Sequence, residues 1–366
     1  MTKKPTTKTL PKSNPLVTEY AAACKANGYT NETEISAMTT YFQKCDNEVR
    51  FVRKNITPVF SKILLRIFSK VKLHRIIFHG CFFQDQNFLT KFATDLNKLQ
   101  ISQIYFDYCP IQRDCITLYL SAPNLDSLSI RGNVCLASEK GNYNQSLNNF
   151  YNSLARSPLK MLDLTGCNLG DEGASSVARV LYFNTSLRCL NLSSNKIGDD
   201  GAIALSYSLS FYFLTDQEIE IHEKLQNDEV RSKISDDGAD LIKKKKGGKS
   251  ASKKATTKTK KGQPAKPVID RTYSFDPNLP VIPAVFAKFN TCVLLEDGRM
   301  YIQGNTTLTS LILDDNKIEK MGYAQLSEML SKNTKLVNFS IKNNPDIKDE
   351  DVVLISRKFE QPSPVE

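Results

Sequence analysis

Apolar residues recur along this chain at a fixed local spacing. In residues 187–197, leucine or isoleucine occupies positions 1, 4, 6 and 11 of an eleven-residue block, and asparagine occupies position 9. Alternation at positions 4 and 6 is typical of a short strand that buries one side. After the block, Ala202, Leu205 and Leu209 follow at spacings of three and four residues, which predicts a helix. The pattern therefore predicts a strand followed by a helix.

Seven blocks share this spacing. They begin at Leu73, Ile101, Leu125, Leu159, Leu187, Leu308 and Leu336, and their ninth positions are Cys81, Cys109, Asn133, Cys167, Asn195, Asn316 and Asn344. An unpaired buried amide is costly, so we expect position 9 to bond the backbone of the neighbouring block. Starts at 73 and 101, at 159 and 187, and at 308 and 336 are each 28 residues apart, long enough for a strand and a full helix.

This spacing is the leucine-rich-repeat consensus, and its period resembles that of the ribonuclease-inhibitor subclass. The resemblance implies an α/β solenoid of about seven repeats, with parallel strands on a concave face and helices outside. Residues 15–71 keep a helical spacing of apolar residues from Ile35 to Val52 and again from Val59 to Val71. Because a terminal repeat must cover its apolar edge, this segment is interpreted as a helical N-terminal cap, with an independent domain as the alternative.

The repeats are interrupted once. The fifth and sixth blocks start 121 residues apart, at 187 and 308, so about 93 residues are inserted into one period. We assign repeats 1–5 to residues 72–214, a charged helix extension and the insert to 215–294, and an edge segment with repeats 6–7 to 295–357. Residues 1–14 and 358–366 are assigned as a disordered basic N-terminus and a C-terminal tail. Residues 214–230 are predicted to extend the fifth helix, and residues 295–305 to form an extended segment covering an open edge between repeats five and six.

The insert carries the charge of the protein. Residues 243–261 hold ten lysines and no acidic residue, which equals the net charge of +10 of the whole chain. With no aromatic residue the run cannot form a core, and we predict that it is mobile. It is interpreted as a solvated linker, as a nuclear localisation signal, or as an electrostatic tether to a polyanion such as the acidic surface of a microtubule. Base-specific nucleic-acid recognition is weakly supported, because no aromatic residues interleave the lysines. The tether residues are Lys243, Lys244, Lys245, Lys246, Lys253, Lys254, Lys260 and Lys261.

Enzyme chemistry finds little support in the sequence. The three histidines are His74, His79 and His222, and no phosphate-binding, metalloprotease or nucleophile-elbow motif occurs. The nine cysteines show no metal-like spacing, and three lie at the buried position 9, so we expect reduced structural thiols and an intracellular protein. No apolar run is long enough to cross a membrane. The predicted function is a non-catalytic binding module without cofactor, metal or small-molecule substrate.

Binding residues are predicted on the concave face. Repeat positions 3, 5 and 7 point away from the core, and Tyr108 lies beside them. Tyrosine and arginine are enriched in binding hot spots, so Tyr105, Tyr108, Arg75 and Arg131 are the first candidates. The complete predicted surface contains Arg75, His79, Tyr105, Asp107, Tyr108, Arg131, Asp163, Asn191, Asp314 and Lys342.

Two segments beside the insert carry a closer resemblance. Residues 214–219, Leu-Thr-Asp-Gln-Glu-Ile, and residues 297–305, Asp-Gly-Arg-Met-Tyr-Ile-Gln-Gly-Asn, resemble those of the leucine-rich repeat-containing protein 71 family. The resemblance implies a scaffold of the motile-cilium axoneme, near the radial spokes or central apparatus, and partners within that assembly. The alternative is a soluble cytosolic or nuclear leucine-rich-repeat adaptor that regulates an enzyme.

Overall fold

The structure, a computed structural model, describes residues 14–137, 145–224, 288–295 and 298–348. Within these ranges one parallel sheet has eight strands in the order β1-β3-β5-β6-β7-β8-β12-β13. Their bounds are β1 Glu48–Val52, β3 Arg75–His79, β5 Gln103–Asp107, β6 Ser127–Ser129, β7 Met161–Asp163, β8 Cys189–Asn191, β12 Ser310–Ile312 and β13 Asn338–Ser340. A two-stranded sheet pairs β2 (Asn55–Ile56) with β4 (Phe82–Phe83), and a three-stranded sheet contains β9 (Tyr212–Phe213), β10 (Cys292–Leu294) and β11 (Met300–Ile302).

Helices connect the strands and pack on one side of the sheet. They are α1 Pro15–Ala26, α2 Glu32–Phe42, α3 Pro58–Lys70, α4 Gln86–Asp95, α5 Arg113–Tyr119, α6 Gln145–Arg156, α7 Gly170–Leu181, α8 Asp199–Leu209 and α9 Lys320–Lys332. Residues 216–224 are also helical. One continuous apolar core runs from Leu16 to Ile341 between sheet and helices. No helix in the described ranges is long and apolar enough to span a membrane.

Position 9 bonds the neighbouring repeat, as the spacing predicts. The Cys81 thiol donates to the Phe51 carbonyl at 3.3 Å and the Cys109 thiol to the Phe78 carbonyl at 3.4 Å. Asn195 Nδ2 donates to the Leu164 and Leu192 carbonyls at 2.8 and 2.9 Å. These bonds join consecutive turns of the solenoid, where the backbone leaves its strand and its buried carbonyls need donors.

The N-terminal segment is not wholly helical, so the prediction for residues 15–71 is wrong in part. The predicted helical spacing from Ile35 to Val52 ends with α2 at Phe42, and residues 48–52 form β1, an eighth strand that pairs with β3 in register. Val49 and Phe51 are buried, as positions 4 and 6 require. The consensus missed this repeat because Asp46 and Lys54 stand at positions 1 and 9.

Helix α2 covers the outer edge of β1. The Tyr41 hydroxyl accepts a hydrogen bond from the Arg50 N–H at 2.5 Å, and Lys54 pairs with Glu34 at 2.6 Å. This lysine ion pair lowers the pKa of the Glu34 carboxyl. The cap therefore satisfies a backbone donor that an uncovered edge strand would leave free.

Repeats five and six pair directly, although 121 residues separate their starts. Ser310 of β12 lies opposite Cys189 of β8, so the parallel sheet has no open edge at the interruption. The predicted role of residues 295–305 as a cover for such an edge is therefore wrong. The chain closes instead behind the sheet, where the Asn305 N–H donates to the Ser208 carbonyl at 2.8 Å.

A glycine permits this closure. Gly304 has φ +67°, and a Cβ there would lie 2.6 Å from the Ser210 carbonyl oxygen. The Asn305 side chain donates to the Leu181 and Asn184 carbonyls at 2.7 and 2.9 Å. Asn184 and Asn333 make equivalent bonds to the preceding turn, in Asn-Thr-x-Leu segments that begin at 184, 305 and 333. This second asparagine series restores the repeat register after the insert.

The described ends of the insert form a small module, here called the insert root, of residues 210–224, 288–295 and 298–304. Helix α8 ends at Leu209, so the predicted extension of the fifth helix over residues 214–230 is wrong. The chain turns into β9, which pairs antiparallel with β11, and residues 216–224 form a separate helix. A second core forms where Leu214, Phe289, Cys292 and Ile302 pack with Tyr182, the residue that follows α7. Residues 225–287, with the lysine run, lie outside the described residues, as do 1–13 and 349–366.

Candidate protein-binding surface

The sheet face opposite the helices carries the predicted residues in rows. Strand pairing places Glu48, Arg75, Gln103, Ser127, Met161, Cys189, Ser310 and Asn338 side by side at position 3. The next row, at position 5, contains Arg50, Ile77, Tyr105, Ser129, Asp163, Asn191, Ile312 and Ser340. These rows contain Arg75, Tyr105, Asp163 and Asn191 of the predicted surface, and the pairing of β3 with β5 places His79 opposite Asp107 at position 7. Strand β1 adds Glu48 and Arg50, which the sequence reasoning missed.

Arg75 is the centre of a polar network at the N-terminal end of this surface. Its guanidinium pairs with Glu48 at 2.9 Å and donates through Nε to Gln103 Oε1 at 2.5 Å. The guanidinium carbon lies 5.7 Å from the centre of the Tyr105 ring. The network spans three strands and fixes the orientation of an arginine and a tyrosine, the residue types that dominate hot spots.

Tyr108 is held in an unusual backbone conformation. Its φ is +54°, and its N–H donates to the Arg131 carbonyl at 2.6 Å. Its ring covers Gly132, where a Cβ would lie 2.3 Å from Tyr108 Cδ1, and meets the His79 ring edge-on at 5.4 Å. The side chain remains 54% exposed, so a large aromatic surface faces solvent in a fixed position.

The repeat explains this conformation. Position 8 has positive φ in every repeat of the described sheet: Arg53, Gly80, Tyr108, Gly132, Gly166, Ser194, Asp315 and Asn343. Glycine adopts it freely, whereas other residues pay about 1 kcal/mol. Glycine at position 8 of three repeats was a sequence signal that we did not use. A tyrosine at position 8 therefore lowers the stability of the fold. Because its ring is exposed, burial of the ring does not offset this loss.

Asp107, which precedes Tyr108 in the chain, lies where its negative charge is unfavourable. Burial raises the pKa of its carboxyl, and the nearby Asp163 raises it further. Ser129 donates to Asp107 Oδ1 at 2.5 Å, and the positive charge of Arg131 acts in the opposite direction. Asp107 and Arg131 thus place opposite charges beside Tyr108, and the His79 ring packs against it.

Polar groups in the C-terminal part of the surface bond within the sheet. Asp163 accepts from the Thr165 N–H and hydroxyl at 2.9 and 2.6 Å, and Asn191 accepts from the Ser193 hydroxyl at 2.7 Å. Asp314 accepts from the Ser340 hydroxyl and the Lys342 N–H at 2.6 and 2.7 Å. One oxygen of each of these side chains is therefore occupied by bonds within the sheet, and Lys342 is an exposed charge beside them.

Each of the nine cysteines is a free thiol, and no group of three or more potential metal ligands occurs among the described residues. The acids after repeats four and five join helices: Asp171 accepts from the Gly198 and Gly201 N–H groups of the next repeat at 2.7 and 2.9 Å. Asp171 therefore satisfies donors at the start of the helix of the next repeat rather than of its own.

Comparison with known families agrees with the repeated strand geometry. A model for the leucine-rich repeat matches residues 157–178, 183–206 and 304–322, which include β7, β8 and β12. The protein is thus one that contains leucine-rich repeats, a motif that mediates protein–protein interaction and is not itself catalytic. No curated protein matches the sequence significantly.

Proposed function

We propose that this protein is a non-catalytic scaffold of the motile-cilium axoneme that binds a partner protein through the concave N-terminal patch. The patch consists of Arg75, His79, Tyr105, Asp107, Tyr108 and Arg131. The observation that carries the binding role is Tyr108, a fixed aromatic side chain exposed at a position where glycine is less strained. Preorganised aromatic and arginine side chains bind with little loss of conformational entropy.

The axonemal location is supported by the resemblance of residues 214–219 and 297–305 to the leucine-rich repeat-containing protein 71 family. Residues 214–219 and 298–304 of these segments belong to the insert root, where β9 and β11 pair. The lysine run between them is proposed to attach to the acidic surface of microtubules, an interaction that salt should weaken.

Fractionation of ciliated cells tests the location. A tagged full-length chain is expected to remain with axonemes after detergent and moderate salt. A pool released entirely by detergent contradicts the axonemal role and favours the soluble adaptor instead.

The patch is tested by Tyr108→Gly combined with Arg75→Ala. Tyr108→Gly relieves the positive-φ cost of about 1 kcal/mol, so the fold is expected to persist. Retention in axonemes is expected to fall at least tenfold, as loss of one or two hot-spot side chains requires. The matched control is Lys342→Ala with Asn338→Ala at the other end of the same surface. Equal retention of both variants with wild type excludes the patch as the binding site.

The tether is tested by deleting residues 225–287. The deletion stops before Lys288, which pairs with Glu218, and Phe289, which is buried in the insert root. Binding to purified microtubules is expected to be lost at 50 mM salt, while the thermal midpoint stays unchanged. A scrambled insert of the same composition is expected to bind like wild type, because the attraction depends on charge rather than on order. Binding that survives the deletion places the microtubule contact elsewhere.

A further inference from the structure

A cavity of about 360 Å³ opens on the helix side of the solenoid, away from the concave surface. Helix α7 contributes Ser175 and Arg179, which lie four residues apart on one face, and Tyr182 follows directly after the helix. Tyr207 of α8 and Tyr212 of β9 form further walls, with the Glu218–Lys288 pair at the insert root. The volume is at the low end of the range for small-molecule sites, enough for a ligand the size of a side chain.

Arg179 is the charged group of this cavity that lacks a partner. It is half-buried, and among the described residues no carboxylate pairs with its guanidinium. Burial lowers its pKa, although an arginine stays protonated, and the group that acts on it electrostatically is the buried Tyr151 hydroxyl. A desolvated cation without a counter-charge is unfavourable, so an anion bound beside Arg179 would stabilise the protein.

The other charges of the cavity compensate each other. Glu218 pairs with Lys288 and accepts from the Thr215 N–H and hydroxyl at 2.9 and 3.0 Å. The charge of Arg179 therefore remains as the net charge of the described lining.

Neutral donors complete the lining. Burial raises the pKa of the Tyr182 and Tyr212 hydroxyls, which keeps them protonated at physiological pH. The Tyr207 ring meets Tyr212 edge-on with 6.1 Å between centroids and is 48% exposed at the mouth. Tyrosine rings beside a guanidinium present both an apolar wall and hydroxyl donors.

We propose that this cavity is a binding site for an oxyanion carried on an aromatic or apolar body, a phosphomonoester or a carboxylate. Arg179 forms the ion pair, the hydroxyls of Ser175 and Tyr207 donate to the remaining oxygens, and the tyrosine rings contact the body of the ligand. The site is independent of the concave patch, and its ligand is either a small molecule or a modified side chain of a partner.

Calorimetric titration of the full-length chain with phenyl phosphate, benzoate and inorganic phosphate tests the site. Phenyl phosphate is expected to bind tightest, since it supplies the greater charge and the ring, and inorganic phosphate more weakly because it lacks the ring. Arg179→Gln is expected to weaken phenyl phosphate binding at least about tenfold, which is the effect of losing one charge-assisted hydrogen bond. Arg188→Gln is the matched control, since Arg188 is exposed and donates to the Thr307 carbonyl at 3.1 Å.

A second pair of variants keeps the test decisive if Arg179→Gln does not fold. Arg179→Lys preserves the charge but not the two-pronged geometry, and Tyr207→Phe removes one hydroxyl while keeping the ring; each is expected to weaken binding about threefold to tenfold. Tighter binding of benzoate than of phenyl phosphate identifies a carboxylate ligand. Equal affinity of wild type, Arg179→Lys and Tyr207→Phe, or no binding of any probe at 10 mM, overturns the proposal.

Discussion

The solenoid uses different side chains at its two ends to build one architecture. In the aromatic half, which contains β1, β3 and β5, position 6 is Phe51, Phe78 and Phe106, and the rings stack with centroids 5.2 and 5.5 Å apart. In the leucine half, which contains β7, β8, β12 and β13, the same position is Leu164, Leu192, Leu313 and Ile341. Each half is fully buried at this position, so repeat geometry does not require leucine.

The halves also differ at position 9, except that the repeat of β7 in the leucine half has Cys167 there. Cys81 and Cys109 in the aromatic half make weak thiol bonds of 3.3 and 3.4 Å, whereas Asn195 in the leucine half donates to two carbonyls within 2.9 Å and accepts from the Leu169 N–H at 3.3 Å. The family model matches repeats of the leucine half only. The spacing of buried positions therefore specifies this fold. Leucine at position 6 is shared by the three repeats that the family model matches.

The largest expected effect tests the two kinds of core. Phe78→Ala should destabilise the protein by about 4 kcal/mol, because it removes a ring stacked between two others, and Leu192→Ala at the equivalent position by about 3 kcal/mol. Urea denaturation measures both. If Phe78→Ala costs less than Leu192→Ala, the stacked rings do not strengthen the aromatic half.

The next effect concerns position 9. Asn195→Ala leaves several buried carbonyls without donors and should cost about 3 kcal/mol, whereas Cys109→Ala should cost about 1 kcal/mol. Thermal unfolding monitored by circular dichroism measures the two variants side by side. Similar losses of stability in both variants would mean that the Cys109 thiol stabilises the fold as much as the Asn195 amide does.

A smaller effect distinguishes the helix packing of the halves. A Cβ on Gly201 would lie 2.7 Å from Asp171 Oδ1 and 2.9 Å from Ala174 Cβ, so Gly201→Ala should cost about 2 kcal/mol through overpacking. The same repeat position in the aromatic half is Asn87, which is exposed, and Asn87→Ala should change stability by less than about 0.5 kcal/mol. A tolerated Gly201→Ala would show that α7 and α8 can separate without loss.

The smallest effect is a pH dependence in the aromatic half. Since the folded pKa of Asp107 lies above its unfolded value of about 3.9, the native state binds more protons between these values, and stability falls as pH rises through that window. Asp107→Asn should therefore be more stable than wild type at pH 7, with a difference that vanishes below about pH 4. Asp163→Asn is the control and should not gain stability, because its carboxylate accepts two bonds from Thr165. A pH-independent difference would assign the effect to packing.

Local spacing predicted much of this molecule because alternation at positions 4 and 6 fixes which side chains are buried. It could not predict β1, whose Lys54 finds its partner Glu34 in the cap rather than in a repeat. Nor could it predict the pairing of Tyr212 with Ile302, which lie 90 residues apart in the sequence. For the binding surface, the rows were predictable, but the contact of Tyr108 with Gly132 depends on the conformation at position 8.

The hydrogen bond between Ser208 and Asn305 makes the stability of the solenoid nearly independent of the length of the insert. The chain leaves and returns at neighbouring atoms, so the entropic cost of the intervening loop grows only with the logarithm of its length, about 0.6 kcal/mol for each doubling. Natural variation can therefore lengthen, shorten or recharge this segment with little effect on folding. Residues 225–287, between the first two parts of the insert root, are a suitable place for grafting a fluorescent protein or an affinity handle without disturbing the repeats.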